Sequence, residues 1–279
     1  MRNLLNVKRL KFVDIHIRGN FLEEKIKDLV EQAQEAQEEG DMGSALQYYQ
    51  QALNIAHKND YKEWAARCLF QIGETYYILY EFGEAIKYYQ QALEIFREFN
   101  KKTWIARIMN KMGLVYKVIG EYSDALNFFQ QSLKIYKAIG DLAGKSTTIS
   151  YIGDVYKRLG KFSEALNFIQ QSLNLSEKVD DLILKAKNIS EIGFLYYEMG
   201  NYKDALKKYQ QALQIIEDVG DLSEKSLILN YMGRLFYTVG KDSKAIEYFR
   251  EALDLSEESG DLFIQVNILN SMGLMSYEN

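Results

Sequence analysis

Residues 140–148, GDLAGKSTT, hold the residue types of a phosphate-gripping loop. Such a loop needs G-x-x-x-x-G-K-[ST]: glycines that let backbone N–H groups curl around the phosphates, a lysine on the outer phosphates and a hydroxyl on Mg²⁺. Gly144, Lys145 and Ser146 fit, but the first glycine should stand at 139, and that residue is Ile139. Other reactive side chains are sparse. Cys68 is the single cysteine, and the two histidines, His16 and His57, lie far apart without a matched cysteine. Neither nucleophilic catalysis nor metal ligation has a constellation to rest on. No catalytic residue, no metal, no cofactor and no enzymatic activity are expected.

Composition bounds what can position any site. The chain has 279 residues, 47% hydrophobic and 26% charged, which is globular composition. It contains no proline and 18 thinly spread glycines, which favours long uninterrupted helices. No apolar run is long enough to span a membrane, and Lys8, Arg9 and Lys11 stand where a signal peptide needs its apolar core. With its single cysteine the chain suits a reducing compartment, so a cytoplasmic location is expected, with Cys68 as a buried small apolar residue. The formal charge is −5, but residues 1–20 carry Arg2, Lys8, Arg9, Lys11 and Arg18 against Asp14. That basic arm, in which Val13, Ile15 and Ile17 alternate with polar residues, has no interleaved aromatics, so nucleic acid or anionic lipid is not the expected partner.

The decisive pattern is a 40-residue period. Glycine recurs at 73, 113, 153, 193, 233 and 273, and alanine at 45, 85, 125, 165, 205 and 245. A second glycine column runs through Gly40, Gly120, Gly160, Gly200 and Gly240, broken by Tyr80, and a large apolar column through Tyr49, Tyr89, Phe129, Ile169, Tyr209 and Phe249. Each unit resolves into two helical patterns. Ile149, Ile152, Gly153 and Tyr156 line one face of a first helix; Phe162, Ala165, Leu166, Ile169, Ser172 and Leu173 line a second. Gly153 and Ala165 are expected to be small so that the two backbones can approach. Gly140-Asp141, Gly220-Asp221 and Gly260-Asp261 pair a helix-ending glycine with a helix-capping aspartate, and Glu224 adds a capping-box partner to Asp221. On that register the lysine and serine of GDLAGKSTT merely start a helix, and Gly144 is a chance glycine.

These residues resemble the tetratricopeptide repeat (TPR) family. Tyr151-Ile152-Gly153-Asp154-Val155-Tyr156 followed by Gly160-Lys161-Phe162-Ser163-Glu164-Ala165-Leu166 holds nearly its whole signature. The 40-residue units without proline are similar to those of spindle-orientation adaptors and of prokaryotic signalling proteins. The resemblance implies an all-α, right-handed superhelical solenoid of antiparallel helix pairs over residues 21–279, after a basic arm at 1–20. The pairs are expected at about 24–58, 62–99, 103–138, 142–178, 182–218 and 222–258, with a single helix at 262–279. That last helix is strongly apolar; either the natural chain continues or its face packs on another copy.

The resemblance further implies a non-catalytic adaptor or scaffold that holds a partner peptide or helix in a concave groove lined by the first helices. The expected groove residues are Arg67, Phe70, Tyr77, Arg107, Asn110, Lys111, Lys117, Lys157, Arg158, Phe194, Tyr197, Asn230, Arg234 and Tyr237. Basic in its middle and aromatic toward its C-terminal half, the groove is expected to take an acidic, partly apolar protein or peptide segment. The asparagine carboxylate clamp of chaperone-binding relatives is not supported, because its positions hold Glu74, Leu114, Asp154, Phe194 and Arg234. The alternatives are a homo-oligomeric scaffold assembled through residues 262–279 and the arm, or the sensor domain of a longer signalling protein.

Overall fold

The computed structural model describes residues 21–277, with the side chains of 274–277 left aside. The basic arm expected at 1–20, with His16, lies outside the described residues. Among the described residues there are thirteen helices and no strand. They are α1 (21–38), α2 (Met42–Lys58), α3 (Lys62–Ile78), α4 (Phe82–Glu98), α5 (Lys102–Val118), α6 (Tyr122–Ile139) and α7 (Leu142–Arg158). There follow α8 (Phe162–Ser176), α9 (Leu182–Glu198), α10 (Tyr202–Val219), α11 (Leu222–Thr238), α12 (Asp242–Ser259) and α13 (Leu262–Tyr277). The chain divides into two compact units, Met1–Ile135 and Tyr136–Asn279. In each unit consecutive helices pack as antiparallel pairs, the pattern of a TPR solenoid.

Helix length is set by the joints. Every twentieth residue from 40 to 260 has a positive φ, eight of these positions being glycine and four being Asp60, Tyr80, Asn100 and Asp180. A left-handed residue there ends each helix, and the following residue turns the chain into the next. Asp41, Asp141, Asp181, Asp221 and Asp261 then cap the next helix, each carboxylate accepting the backbone N–H three residues on at 2.8–3.0 Å. Tyr80 adopts φ 61° with its ring exposed and edge-on to Phe82. A side chain in this conformation costs about 1–2 kcal/mol. Tyr80→Gly is therefore expected to raise stability by about 0.5 kcal/mol once glycine's greater unfolded-state freedom is set against it. Equilibrium urea denaturation checks this; a lower midpoint would contradict it.

Within a pair, the packing is written by two columns. A Cβ added to Gly73, Gly113, Gly153, Gly193 or Gly233 would lie 2.6–2.8 Å from the side chain sixteen residues on, namely Tyr89, Phe129, Ile169, Tyr209 or Phe249. Those five side chains are buried, so the glycines are the hollows into which the large column inserts. Nearer the other end of these five pairs, positions 66/92, 106/132, 146/172, 186/212 and 226/252 hold only Ala and Ser. Ser132 Oγ donates to the Ala106 carbonyl at 2.9 Å, Ser226 Oγ to that of Ala252 at 2.6 Å, and Ser146 and Ser172 each bond the other's carbonyl.

Gly144 is not a chance glycine. A Cβ there would run into the ring of Tyr136, which is buried at the seam between α6 and α7. In the preceding repeat the corresponding residues are Phe96 and Trp104, stacked at 5.0 Å. The Gly144–Lys145–Ser146 run thus has a packing cause: Gly144 makes room for Tyr136, and Ser146 is buried against Ser172. Gly144→Ala is expected to cost about 1 kcal/mol, an overpacking penalty of about 2 kcal/mol offset by about 1 kcal/mol of helix propensity. A thermal melt at or above wild type would show that the ring yields.

Candidate functional site

In the first unit, Trp64-Ala65-Ala66-Arg67 on α3 recurs as Trp104-Ile105-Ala106-Arg107 on α5. These are the only two tryptophans in the chain, and each stands three residues before an arginine, on one helix face. The guanidinium of Arg67 lies 5.2 Å from the Trp64 ring and 5.7 Å from the Trp104 ring. That of Arg107 lies 5.2 Å from Trp104 and 5.0 Å from Phe70. Phe96, Phe70 and Glu23 hold the rings, Phe96 by stacking on Trp104, Phe70 by meeting it edge-on at 5.5 Å, and Glu23 by accepting from Trp64 Nε1 at 3.2 Å. Aromatic rings and guanidinium planes therefore alternate across the seam between α3 and α5.

Charge is distributed unevenly on this face. Glu63 takes both Lys101 Nζ and Arg67 Nη2 at 2.8 Å, and these two hydrogen bonds hold its carboxyl below the usual range. Glu74 takes Lys111 and the hydroxyl of Tyr89. Among the described residues no carboxylate stands within ion-pair distance of Arg107, which is exposed. Beside Trp64 and Arg67 opens a cavity of about 710 Å³, lined also by Glu23, Asp60, Tyr61 and Phe99.

In the second unit the first-helix face is a closed charge network. Lys157, on α7, reaches Asp154 Oδ1 at 3.0 Å and Glu191 Oε2 on α9 at 2.5 Å, with a side chain only 16% exposed. Burial favours loss of its proton, but Glu191 and Asp154 overcome this and hold the pKa above the ordinary lysine value. Its ammonium also sits 5.1 Å from the Phe194 ring, while Arg234 on α11 approaches that ring at 5.7 Å and Tyr197 at 5.5 Å. Arg234 further pairs with Glu198 at 3.9 Å, and the Tyr197 hydroxyl bonds Thr238 Oγ1 at 2.8 Å.

Glu224 departs from its expected role. Its backbone N–H does donate to Asp221, but its carboxylate does not close a capping box; it accepts from Ser190 Oγ on α9 at 3.1 Å. It is 5% exposed and stands at the repeat position of Trp64 and Trp104. Burial pushes its pKa up to about 7, Glu191 and Asp221 reinforce the shift, and Lys187 and the Ser190 bond oppose it.

The structure thus sorts the expected groove residues. Phe70, Asn110 and Asn230 are buried in the seams between first helices and present no surface to a ligand. Their column was read as exposed because a solenoid first helix is flanked by neighbours on both sides, which one repeat's periodicity does not show. Arg67, Lys111, Lys157, Arg158 and Arg234 lie on first-helix faces but beside carboxylates of their own chain, Arg158 Nε standing 3.7 Å from Asp154. Of the basic middle, Lys111, Lys157 and Arg158 thus stand beside carboxylates of their own unit. Tyr77, Lys117, Tyr197 and Tyr237 are half-buried on the last turns of their helices, Phe194 is covered by two cations, and Arg107 is exposed. Sequence reasoning missed Trp64 and Trp104, although their recurrence at one repeat position was available. It also missed the counter-ions Glu63, Glu74 and Glu191, whose cross-helix partners only packing reveals.

Cys68 is buried, and burial pushes its thiol up to about 12. Among the described residues no group of histidine, cysteine or carboxylates is arranged to hold a metal ion, and no helix is long and apolar enough to cross a membrane.

Solved structures share this fold. The apo form of RapI is 18% identical with a TM-score of 0.69, over 89% of this chain and 98% of that one. BtubC (BKLC) from P. vanneervenii is 18% identical with a TM-score of 0.61, over 86% and 92%. A Rap protein complexed with competence and sporulation factor is 13% identical with a TM-score of 0.64, over 91% and 76%. Among curated proteins none matches the chain. A tetratricopeptide-repeat family model matches residues 30–98, 103–178 and 184–258, stretches that hold all five glycine hollows. With its repeats matched over most of its length, the chain belongs to the tetratricopeptide-repeat family.

Proposed function

We propose that the protein is a non-catalytic cytoplasmic adaptor that binds a partner peptide or helix along the faces of its first helices. The observation that carries this reading is the ring-and-guanidinium ladder of Trp64, Arg67, Trp104, Arg107 and Phe70. Aromatic and arginine side chains are the usual anchors of binding surfaces. Here the rings hold long side chains in place before a ligand arrives, which lowers the entropy lost on binding. That a Rap protein of similar fold occurs complexed with competence and sporulation factor supports the same use of the architecture. An acidic, partly apolar ligand suits the first unit, where Arg67 and Lys101 share Glu63, Lys111 pairs with Glu74, and the exposed Arg107 adds a further positive charge. Panning a random peptide display library against the full chain, then mapping selected binders by hydrogen exchange, tests this. Protection is expected on α3 and α5; protection confined to α4 and α6, or no binder tighter than about 100 μM, would end the reading.

A second reading, self-assembly, is favoured by one observation. Leu262, Phe263, Val266 and Leu269 leave an exposed apolar face on α13. Sedimentation of the wild type beside Phe263→Asp tests it: a dimer abolished by the substitution is expected, and a wild-type monomer at 100 μM or so rejects it.

A further inference from the structure

We propose that Arg107 anchors a carboxylate of an acidic peptide, docked as Glu63 is docked on Arg67 one repeat earlier. The two arginines are equivalent, each three residues after a tryptophan and each resting on two aromatic rings. They differ in one partner. Arg67 has Glu63 four residues before it at 2.8 Å, whereas the residue four before Arg107 is Thr103. The chain thus supplies a carboxylate to the first fork and none to the second.

Ring contacts use the face of a guanidinium and leave its edge N–H donors for oxygen acceptors, which a carboxylate can meet in pairs. Arg107 is exposed, so those donors face solvent, and Trp104 and Phe70 fix the group in advance. Lys101 lies on the same seam, bonded to Glu63. Repeats further along have Thr147, Lys187 and Leu227 at the arginine position and Gly144, Leu184 and Glu224 at the tryptophan position, so the device belongs to α3 and α5 alone. The inference rests on the adaptor reading only in taking the carboxylate to be a peptide's.

The test uses two fluorescein-labelled probes read by polarisation at one fixed salt concentration. Hexaglutamate with an amidated C-terminus offers side-chain carboxylates; hexaglutamine with a free C-terminus offers a terminal one. Hexaglutamate is expected to bind the full chain. R107Q should weaken it about tenfold, and R107K, which keeps the charge but loses the fork, by several-fold. T103E recreates Glu63 beside Arg107 and should weaken the probe as R107Q does, with thermal stability undiminished. If hexaglutamine alone binds in this Arg107-dependent way, the carboxylate is a chain terminus and the site stands. Unchanged affinity in R107Q or in T103E overturns the proposal, as does equal displacement by inorganic phosphate and acetate. The adaptor reading fails separately: peptides selected elsewhere on the chain, with hexaglutamate still dependent on Arg107, refute that reading and leave this one.

Discussion

Replacing Lys157 by methionine is expected to destabilise the second unit by about 3 kcal/mol, the cost of leaving buried carboxylates without their cation. Lys157 Nζ is shared between Asp154 and Glu191, whose side chains are only 20% and 21% exposed. Methionine keeps the stem and its packing on Phe194 but removes the charge that both oxygens face. The double variant Lys157→Met with Glu191→Gln should recover about half the loss, because only Asp154 then lacks a partner. Equilibrium denaturation of the two single variants and the double closes the cycle. Losses that simply add would show that Lys157 and Glu191 are not coupled. The same reasoning makes Lys157 a poor probe of ligand binding, since charge reversal there adds a third carboxylate to the cluster and disturbs the fold first.

Glu224→Gln is expected to make the protein more stable at pH 8 and to leave it nearly unchanged at pH 4. The folded-state pKa, about 7, lies above the ordinary value of 4.5, chiefly because burial penalises the charged form. The folded protein therefore holds a proton that the unfolded chain has released between these two values. Stability contributed by the neutral carboxyl is fully present below about pH 4.5 and is lost as pH rises through about 7. At about 1.4 kcal/mol for each unit, the full window corresponds to roughly 3 kcal/mol. Glutamine has no proton to lose, so the variant's stability should be flat across the window where the wild type declines. The groups facing Glu224 act in both directions: Lys187 and the Ser190 hydroxyl favour its charge, and Glu191 and Asp221 oppose it. Urea denaturation at pH 5 and pH 8 measures the difference, and parallel pH dependence in the two proteins would remove Glu224 from the account.

Both predictions turn on groups whose roles were invisible in one dimension. Lys157 looked like part of a free basic surface, and Glu224 like a capping-box residue. Their partners, Glu191 and Ser190, lie on a neighbouring first helix, the following one for Lys157 and the preceding one for Glu224, 34 residues away in each case. A repeat pattern tells which face of a helix points toward its neighbours. It does not tell which of several polar side chains on that face meet, because this depends on axial offset and rotamer at a spacing of a few ångströms.

What the sequence determined by itself was the architecture. A glycine and a large apolar residue sixteen positions apart, recurring every 40 residues, can be satisfied only by helix pairs of constant register, and the close approach of Gly113 to Phe129 shows why. The joints were legible for the same reason, since glycine and aspartate at fixed offsets have local backbone and hydrogen-bonding consequences. Asp60, Asn100 and Asp180 take the left-handed conformation without glycine, as short polar side chains can, and Tyr80 takes it although its side chain does not favour it, so the joint's place in the period and not the residue type marks it. Only the tertiary structure decided the electrostatics. It neutralised Lys111, Lys157 and Arg234, buried Asn110 and Asn230, gave Gly144 a packing cause in Tyr136, and left Arg107 exposed on its rings. Periodic burial is a property of spacing along one helix, whereas charge compensation is a property of atoms on different helices brought within hydrogen-bond reach.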